Sequence, residues 1–485
     1  MTETNQPADL TPQNELVEQR YKNLEKLVEA GIDPFGEKFA DTERVTAIKS
    51  GFSEGKAVRV AGRVMSKRIM GKSIFMDLKD ISGKIQLYAK KDAVGENVFD
   101  LLKDLDIGDI IGVSGKLFKT RTGEDTIVID EYKMLSKSLH MLPEKWHGLK
   151  DIETRYRQRY VDLIVNDDSR EIFKRRIEIV KCIREYLNNK GFLEVETPMM
   201  HPIAGGAAGK PFKTHHEALD MDLYLRIAPE IYLKKLLVGG LEKVYEINRS
   251  FRNEGISTRH NPEFTMIEVY EAYSDCAGMM ELVEGLIRDA AMKVLGTEKF
   301  VYGDREIDLS IWKKVSFAEL MKENFGISVD DPLDAWVSKL KRKGIEIEGG
   351  KVSKTQIINI VGELVEPKAE THPVFVVDMF KEMSPLAKEK KGCPGIVDRF
   401  ELYMGGMEVA NAYSELNDPI EQRKRFIEQV KHDPDARIDE DFIRALEYGM
   451  PPAGGLGIGI DRLTMVLTNS PSIRDVIFFP HMRPE

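Results

Sequence analysis

Between residues 57 and 135, apolar and polar side chains alternate in short runs: Val58 to Met65, Ser73 to Leu78, Lys84 to Ala89, Ile110 to Leu117 and Thr126 to Tyr132, with Gly-containing turns between them. A period of two is the mark of half-buried strands. A helix over Asn97 to Lys103 fits between the third and fourth runs. Five strands so arranged predict a small Greek-key barrel of the OB type over residues 56–138. Ahead of it, in residues 1–55, Val17, Tyr21, Leu24 and Val28 recur at spacings of four, three and four, predicting a helix opened by Thr11-Pro12 and stopped by Gly31 and Pro34. That helix either packs on its neighbour or sets its basic residues against nucleic acid. Residues 139–150, with Pro143 and Gly148, read as a linker.

Beyond residue 150 the pattern changes. Phe173, Ile177, Val180, Ile183 and Leu187 fall on one face of a helix that ends at Gly191, and Phe192 to Glu196 reads as a strand closed by Thr197-Pro198. Strands and helices then mix without strict alternation, which predicts an α+β domain over 151–485 built on an antiparallel sheet rather than a doubly wound one. Residues 300–368 read as a helical insertion whose Lys339 to Lys343 cluster faces solvent.

A chain of 485 residues exceeds what one hydrophobic core supports, in keeping with this division. The net charge of -10 argues against nucleic acid on average, yet Lys56 to Lys91 holds ten Lys/Arg against Asp77 and Asp80, a local charge of +8. OB-type barrels bind single strands through a basic groove with exposed rings, and Phe75 is the stacking candidate. A lone Phe on a strand is ordinarily core, so fold and charge carry that expectation. Cys182, Cys276 and Cys393 are odd in number and far apart, which excludes a disulfide framework or a cysteine-rich zinc site. With no secretory leader and no long apolar run, the expectation is a cytoplasmic protein without a membrane segment.

The densest chemistry lies in Phe251-Arg252-Asn253-Glu254-Gly255 and His260-Asn261-Pro262-Glu263-Phe264. Glu246 to Phe251 alternates as a strand, Gly255 offers a turn and Phe264 to Tyr270 resumes the strand, so Arg252, Glu254 and Phe264 converge on one face. A guanidinium for phosphate, a carboxylate for an exocyclic amine and a ring for stacking suit a nucleotide. Two other stretches are false friends. Gly205 to Lys210 lacks the spacing and the Ser/Thr of a P-loop, and Gly455 to Gly459 is followed by too little chain for a dinucleotide-binding unit.

Lys190-Gly191-Phe192 through Thr197-Pro198, the Arg252 hairpin and Gly455-Leu456-Gly457-Ile458-Gly459-Ile460-Asp461-Arg462 together resemble motifs 1, 2 and 3 of the class II aminoacyl-tRNA synthetases. Arg155 to Leu163 and Glu408 to Asp418 resemble the lysyl-tRNA synthetases, and the likeness covers nearly the whole chain. It implies a class IIb homodimer, with motif 1 at the interface, that joins L-lysine to lysine tRNA at the expense of ATP. By that resemblance Arg252 bridges the α-phosphate and the amino-acid carboxylate, Glu254 reads the adenine amino group, and Phe264 and Arg462 cover the two faces of the base. Arg259 and His260 sit near the outer phosphates, and Asn261 and Gly459 complete the ATP site. Glu401 and Glu408 match magnesium-binding carboxylates. Glu415 and Tyr270 match partners of the lysine ε-ammonium, Gly205, Glu230 and Glu268 surround its α-amino end, and Asn411 meets its carboxylate. On the barrel, Arg68, Phe75 and Gln86 match anticodon-reading positions.

Two stretches depart from the family pattern: Gly209-Lys210, in the loop expected over the amino acid, and Asp378-Met379-Phe380-Lys381. Two rivals stay open. A lysine ligase acting on a protein lacks the barrel that residues 56–137 supply here, and a non-catalytic tRNA-binding paralogue is expected to have lost Arg252, Glu401, Glu408 or Arg462.

Overall fold

The computed structural model describes residues 15–143, 149–207, 209–345, 354–365, 367, 371–432 and 437–484. The predicted helix start at Thr11-Pro12, Gly148 of the linker, Ala208 of the false P-loop and Lys368 at the end of the insertion lie outside them. The chain divides into two compact units, Met1–Lys150 and Asp151–Glu485.

In the first unit, β1 (Ala57–Met70), β2 (Ser73–Lys79), β3 (Lys84–Lys90), β4 (Ile110–Lys119) and β5 (Asp125–Ser136) close into a barrel of order β1-β2-β3-β5-β4. Alternation does the work. Ile74, Met76 and Leu78 of β2 and Ile85, Leu87 and Ala89 of β3 point into the core, so Phe75, Asp77, Gln86 and Tyr88 remain on the outer face. The helix Glu96–Asp104 stands between β3 and β4 as its periodicity predicts. The helix Glu15–Glu29 also forms, but its buried residues are Arg20, Asn23 and Leu27, while Val28 of the predicted stripe is 59 % exposed. The barrel takes Leu27 into its core and meets the rest of the buried face with acceptors. Arg20 donates to the carbonyls of Ser138 (2.9 Å) and Ile107 (2.8 Å), and Asn23 to Asp106 (3.1 Å).

The second unit is built on a sheet whose strands are β6 (Leu193–Glu194), β10 (Lys243–Phe251), β11 (Glu263–Ala272), β14 (Lys313–Ser316), β15 (Val374–Phe380), β16 (Ile396–Met404), β17 (Met407–Ser414) and β18 (Ala453–Gly459). Their order is β14-β15-β16-β17-β18-β11-β10-β6, antiparallel except at the two edge pairs. A small sheet of β7 (Met200–His201), β9 (Met221–Leu225) and β8 (Lys213–His216) and a hairpin of β12 (Lys299–Tyr302) and β13 (Arg305–Asp308) complete the strands.

One face of the large sheet is apolar. Tyr245, Ile267, Val269, Ala410, Ala412, Leu456 and Ile458 pack there against the helices Asp167–Asn189, Cys276–Leu295 and Ile460–Thr468. By the same alternation, the opposite face carries Glu246, Glu268, Tyr270, Asn411 and Tyr413 around the glycines of β18. A sheet with one greasy and one charged face is a floor for a polar site.

Three sequence expectations are corrected. Ile177 is 58 % exposed, because Ile179 and Cys182 continue the buried stripe of the helix Asp167–Asn189 and Ile177 falls beyond its edge. The strand expected over Phe192 to Glu196 shrinks to Leu193–Glu194, since the sheet edge pairs only that far with β10 and Phe192 turns into the core. Phe300 to Ser316 holds strands and turns, not helix: β12 and β13 form their hairpin, β14 joins the edge of the main sheet beside β15, and the helices begin at Phe317. Those helices, Phe317–Phe325, Leu333–Arg342 and Lys354–Leu364, enclose a core of their own around Trp336, Leu340 and Val361. Lys339 is also held, by Asp331 (2.5 Å) and the Gly326 carbonyl (2.7 Å), while Lys341 and Lys343 are exposed. Among the described residues no helix is long and apolar enough to cross a membrane.

Candidate active site and nucleic-acid face

The β10–β11 pairing sets Phe251 opposite Glu263 and Ser250 opposite Phe264, so the loop between them hangs over the polar face. A cleft enclosing about 850 Å³ opens beneath it. Arg252, Glu254, Arg259, His260, Asn261 and Phe264 line it from the hairpin, and Gly459 and Arg462 from the end of β18 and the helix that follows. Glu408 and Asn411 close the wall from β17.

Arg252 and Arg462 are held in this cleft in different ways. The Arg252 guanidinium lies over the Phe264 ring at 5.2 Å, and its Nε is buried without a hydrogen-bond partner. Burial lowers its pKa, and Arg462 adds to that while Glu254 and Glu408 oppose it. Two guanidiniums this close favour an anion between them. Arg462 donates to the Glu408 carbonyl (2.9 Å), to Glu408 Oε2 (3.2 Å) and to His260 Nε2 (3.1 Å). A guanidinium can only donate, so His260 Nε2 accepts, and the ring proton sits on Nδ1, 2.9 Å from Ser257 Oγ. Burial and then Arg462 lower the His260 pKa, in keeping with that neutral form. Asp461, next to Arg462, is buried; it accepts from the Thr265 amide (2.8 Å) and lies 2.6 Å from Arg176, which pins the end of β18 against β11.

Deeper on the same face of the sheet lies a buried cluster of polar side chains. Glu230, Glu268, Tyr270 and Glu415 are all buried there, with Glu415 1 % exposed. Glu268 and Tyr270 stand opposite Gly457 and Gly455, and Asn411 and Tyr413 flank the same two glycines from β17. The glycine at 455 is required by space: an added methyl would collide with Glu415 Oε1 and come within 2.7 Å of the Tyr270 ring. The Tyr270 hydroxyl donates to Glu268 Oε2 (3.1 Å) and that of Tyr413 to Glu230 Oε1 (2.7 Å). Glu415 Oε2 lies 2.5 Å from Lys234 Nζ, whereas Oε1 has no partner. Burial raises the pKa of Glu268 far above the carboxylate range, with Glu230 adding to it, and that of Glu415 to about 8, with Lys234 opposing. Three buried carboxyl groups share one ammonium, and a cationic ligand would favour their ionised forms. A methyl added at Gly205 would meet nothing within 4 Å, whereas one added at its neighbour Gly206 would come within 3.3 Å of Glu230 Cβ and 3.4 Å of Ala228 Cβ.

Glu401 lies on β16 opposite Asn411, and Glu408 lies on β17 opposite Tyr403. The Gly405-Gly406 turn that joins the strands has positive φ at both residues (57° and 76°), a conformation glycine adopts without strain, and it returns the chain so that the two carboxylates feel each other. Arg399 (2.6 Å) and the Tyr403 hydroxyl (3.0 Å) bind Glu401, whose pKa is raised by burial and by Glu408 and lowered by Arg399. Among the described residues no three His, Cys, Asp or Glu side chains form a self-sufficient metal cluster. Glu401 and Glu408 offer the hard carboxylate oxygens that a divalent cation such as magnesium takes.

On the barrel, Arg68 pairs with Phe75 across β1–β2, and Asp77 with Gln86 across β2–β3, so all three predicted readers share one outer face. Gln86 Oε1 accepts from Thr126 (3.1 Å). Phe75 lies 4.9 Å from Tyr88, which lies 5.8 Å from Phe118, forming a row of rings. Sequence reasoning missed Tyr88 and Phe118, although Tyr88 follows Gln86 by two on the same face of β3. It also missed Arg399, Tyr413 and Lys234; the last was detectable only as the i+4 partner of Glu230 on the helix Glu230–Val238.

Residues 151–483 match the family described as tRNA synthetases class II (D, K and N), and residues 58–135 match the OB-fold nucleic acid binding domain. The chain is 55% identical to the lysine–tRNA ligase of Carboxydothermus hydrogenoformans, with 97% of this chain and 98% of that protein covered. It is 52% identical to the lysine–tRNA ligase of Moorella thermoacetica, with 98% and 99% covered. Against that of Staphylococcus saprophyticus the identity is 50%, with 97% and 99% covered. With a nucleotide-sized cleft lined by arginines beside a buried carboxylate pocket, and with an OB barrel ahead of both, the chain belongs to the class II tRNA synthetases, in the group whose relatives are lysine–tRNA ligases.

Proposed function

We propose that the protein activates L-lysine with ATP to lysyl-adenylate and pyrophosphate, then transfers the lysyl group to the 3′-hydroxyl of the terminal adenosine of lysine tRNA. The observation that carries this reading is the unpartnered Glu415 Oε1 in a buried pocket of three carboxylates, directly below a cleft lined by arginines. The Lys234 ammonium is already paired with Glu230 and Glu415 rather than offered to the side chain of aspartate, and an asparaginyl enzyme has no use for the carboxylates.

In the first step the lysine carboxylate attacks the α-phosphorus of ATP and pyrophosphate leaves. Two anions are forced together, so fixed cations must offset their repulsion. Arg252, which lies over Phe264 and lines the cleft together with Asn411, bridges the α-phosphate and the carboxylate in this reading. Glu254 reads the adenine amino group while Phe264 and Arg462 cover the base. Arg259, His260 and Asn261 serve the phosphates and Gly459 leaves the backbone bare beside them. Tyr270 and Glu415 take the ε-ammonium. Glu230, Glu268 and the loop at Gly205 surround the α-amino group. Glu401 and Glu408 would hold Mg²⁺, which supplies charge neutralisation for the outer phosphates.

In the second step the ribose hydroxyl attacks the adenylate carbonyl and AMP leaves. The anticodon is read on the barrel, where a splayed base stacks on Phe75 and meets Arg68 and Gln86. The working form is a homodimer: Ile177, Leu193, Met199 and Met200, exposed by 58, 52, 48 and 51 %, lie on the motif 1 helix and the segment after it, where a partner would cover them. Sedimentation as a monomer would remove that part. Free cysteines suit a cytoplasmic setting.

Incubation with ATP, Mg²⁺, radiolabelled lysine and lysine tRNA tests the reading: label should enter tRNA. Label entering a protein acceptor instead, or none transferred, would overturn it.

A further inference from the structure

Lys234 has no part in the reaction as set out, yet it occupies the most protected position in the pocket. Its ammonium lies 2.6 Å from Glu230 Oε1 and 2.5 Å from Glu415 Oε2, with its side chain 0 % exposed. The rings of Tyr413 and Phe442 stand 5.6 and 5.9 Å from it. Burying an ammonium is costly unless it is fully paired, and a well-packed apolar residue in its place is often no less stable. The two carboxylates that it joins are those assigned above to the two amines of the amino acid.

The contacts divide the oxygens between protein and substrate. Lys234 and the Tyr413 hydroxyl both meet Glu230 on Oε1, and Lys234 meets Glu415 on Oε2, so Glu415 Oε1 faces the Tyr270 ring with nothing bound to it. The ionisable groups around the ammonium are Glu230 on its own helix, Tyr413 on β17 with Glu415 just after it, and Glu268 and Tyr270 on β11. Arg252, from the neighbouring cleft, acts on Glu268.

We propose that Lys234 is a specificity-determining positioning residue: by bridging Glu230 and Glu415 it fixes the separation of the two carboxylates and thereby the amine-to-amine length of the amino acid that fits. The inference rests on the lysine-pocket reading above. Two consequences follow from the geometry. Ornithine, one methylene shorter, fits two carboxylates held at that separation less well than lysine. The bridge also opposes the protonation of Glu415 that burial favours, which eases the approach of an ammonium to Oε1.

The test is ATP/pyrophosphate exchange with lysine and with ornithine, from about pH 6.5 to 9, for Lys234→Met, Lys234→Arg and Glu415→Gln. Lys234→Met should raise the lysine KM ~10-fold or more and lower the lysine-over-ornithine ratio by ~10-fold, with the ATP KM within about twofold of wild type. The pH above which the lysine KM levels off should rise. Lys234→Arg, which keeps the charge but not the reach, should keep the pH profile and still lose discrimination. Lysine and ATP parameters falling together, or a ratio and pH profile that do not move, would mark Lys234 as a structural residue and overturn the inference. Should Lys234→Met not fold, Lys234→Arg decides, and an unchanged ratio there overturns it. An unchanged lysine KM in Glu415→Gln would remove the pocket reading itself. A raised one, with wild-type discrimination in both Lys234 variants, would remove only the role of Lys234.

Discussion

Gly455→Ala adds one methyl group to the floor of the lysine pocket, and the surroundings settle what it must cost. The new carbon would overlap Glu415 Oε1, approach Glu415 Cδ at 3.0 Å and come within 2.7 Å of Tyr270 Cε1. Neither neighbour can step aside cheaply. Glu415 is fixed by Lys234 at 2.5 Å, and Tyr270 is 3 % exposed with its hydroxyl on Glu268 at 3.1 Å. Overpacking of this kind costs ~1 to 3 kcal/mol. The displaced carboxylate oxygen is the one assigned to the ε-ammonium, so the cost falls on lysine binding and amounts to a rise of ~5- to 150-fold in the lysine KM. Initial rates of ATP/pyrophosphate exchange, with lysine and ATP varied in turn, separate the two sites, since the ATP cleft lies at the other end of β18 around Gly459. A lysine KM within about twofold of wild type, or equal losses for lysine and ATP, would refute the placement of the ammonium at Glu415.

Arg252→Ala removes the cation assigned to the transition state, and kcat/KM for lysine-dependent exchange should fall by ~10²-fold or more; near-normal exchange would take Arg252 out of the mechanism. Phe75→Ala should leave exchange intact and raise the KM for tRNA, because base stacking on an aromatic ring contributes ~1 to 3 kcal/mol; an unchanged tRNA KM would leave Phe75 as packing for Tyr88. The pH dependence has a definite sign. Burial pushes the Glu415 pKa from 4.5 up to about 8, so its contribution to the stability of the unliganded fold is full below about pH 4.5 and is lost as the pH rises through about 8. Lysine attracts the ionised form. The rise in Tm on adding lysine should therefore be larger near pH 8.5 than near pH 6.5, and an equal or smaller rise at the higher pH would contradict the assignment.

The barrel was legible because its information is local: in β2 and β3 the inward residues are apolar, the outward residues are polar or aromatic, and turns separate them. The hairpin around Arg252 was legible for a related reason, since strand, loop and returning strand follow one another and β10 pairs with β11. What escaped depends on partners far away in the chain. Lys313-Lys314-Val315-Ser316 has no apolar run to announce β14, and it becomes a strand because Val374 to Val377 lies beside it. Val28 looks like core but is exposed, because the barrel offers Arg20 and Asn23 carbonyls and a carboxylate from residues 106, 107 and 138. Lys234 reads as an ordinary basic residue on a helix. Its meaning comes from Glu415, brought to it by a sheet pairing that no local pattern contains.

The central claim is that the buried carboxylates select lysine, and ATP/pyrophosphate exchange on the purified protein with each of the proteinogenic amino acids, with and without Mg²⁺, tests it most directly. The family description spans D, K and N, so the choice of amino acid is the open discriminator. Magnesium-dependent exchange with lysine alone is the predicted result; exchange with aspartate or asparagine, or with no amino acid at all, would contradict it.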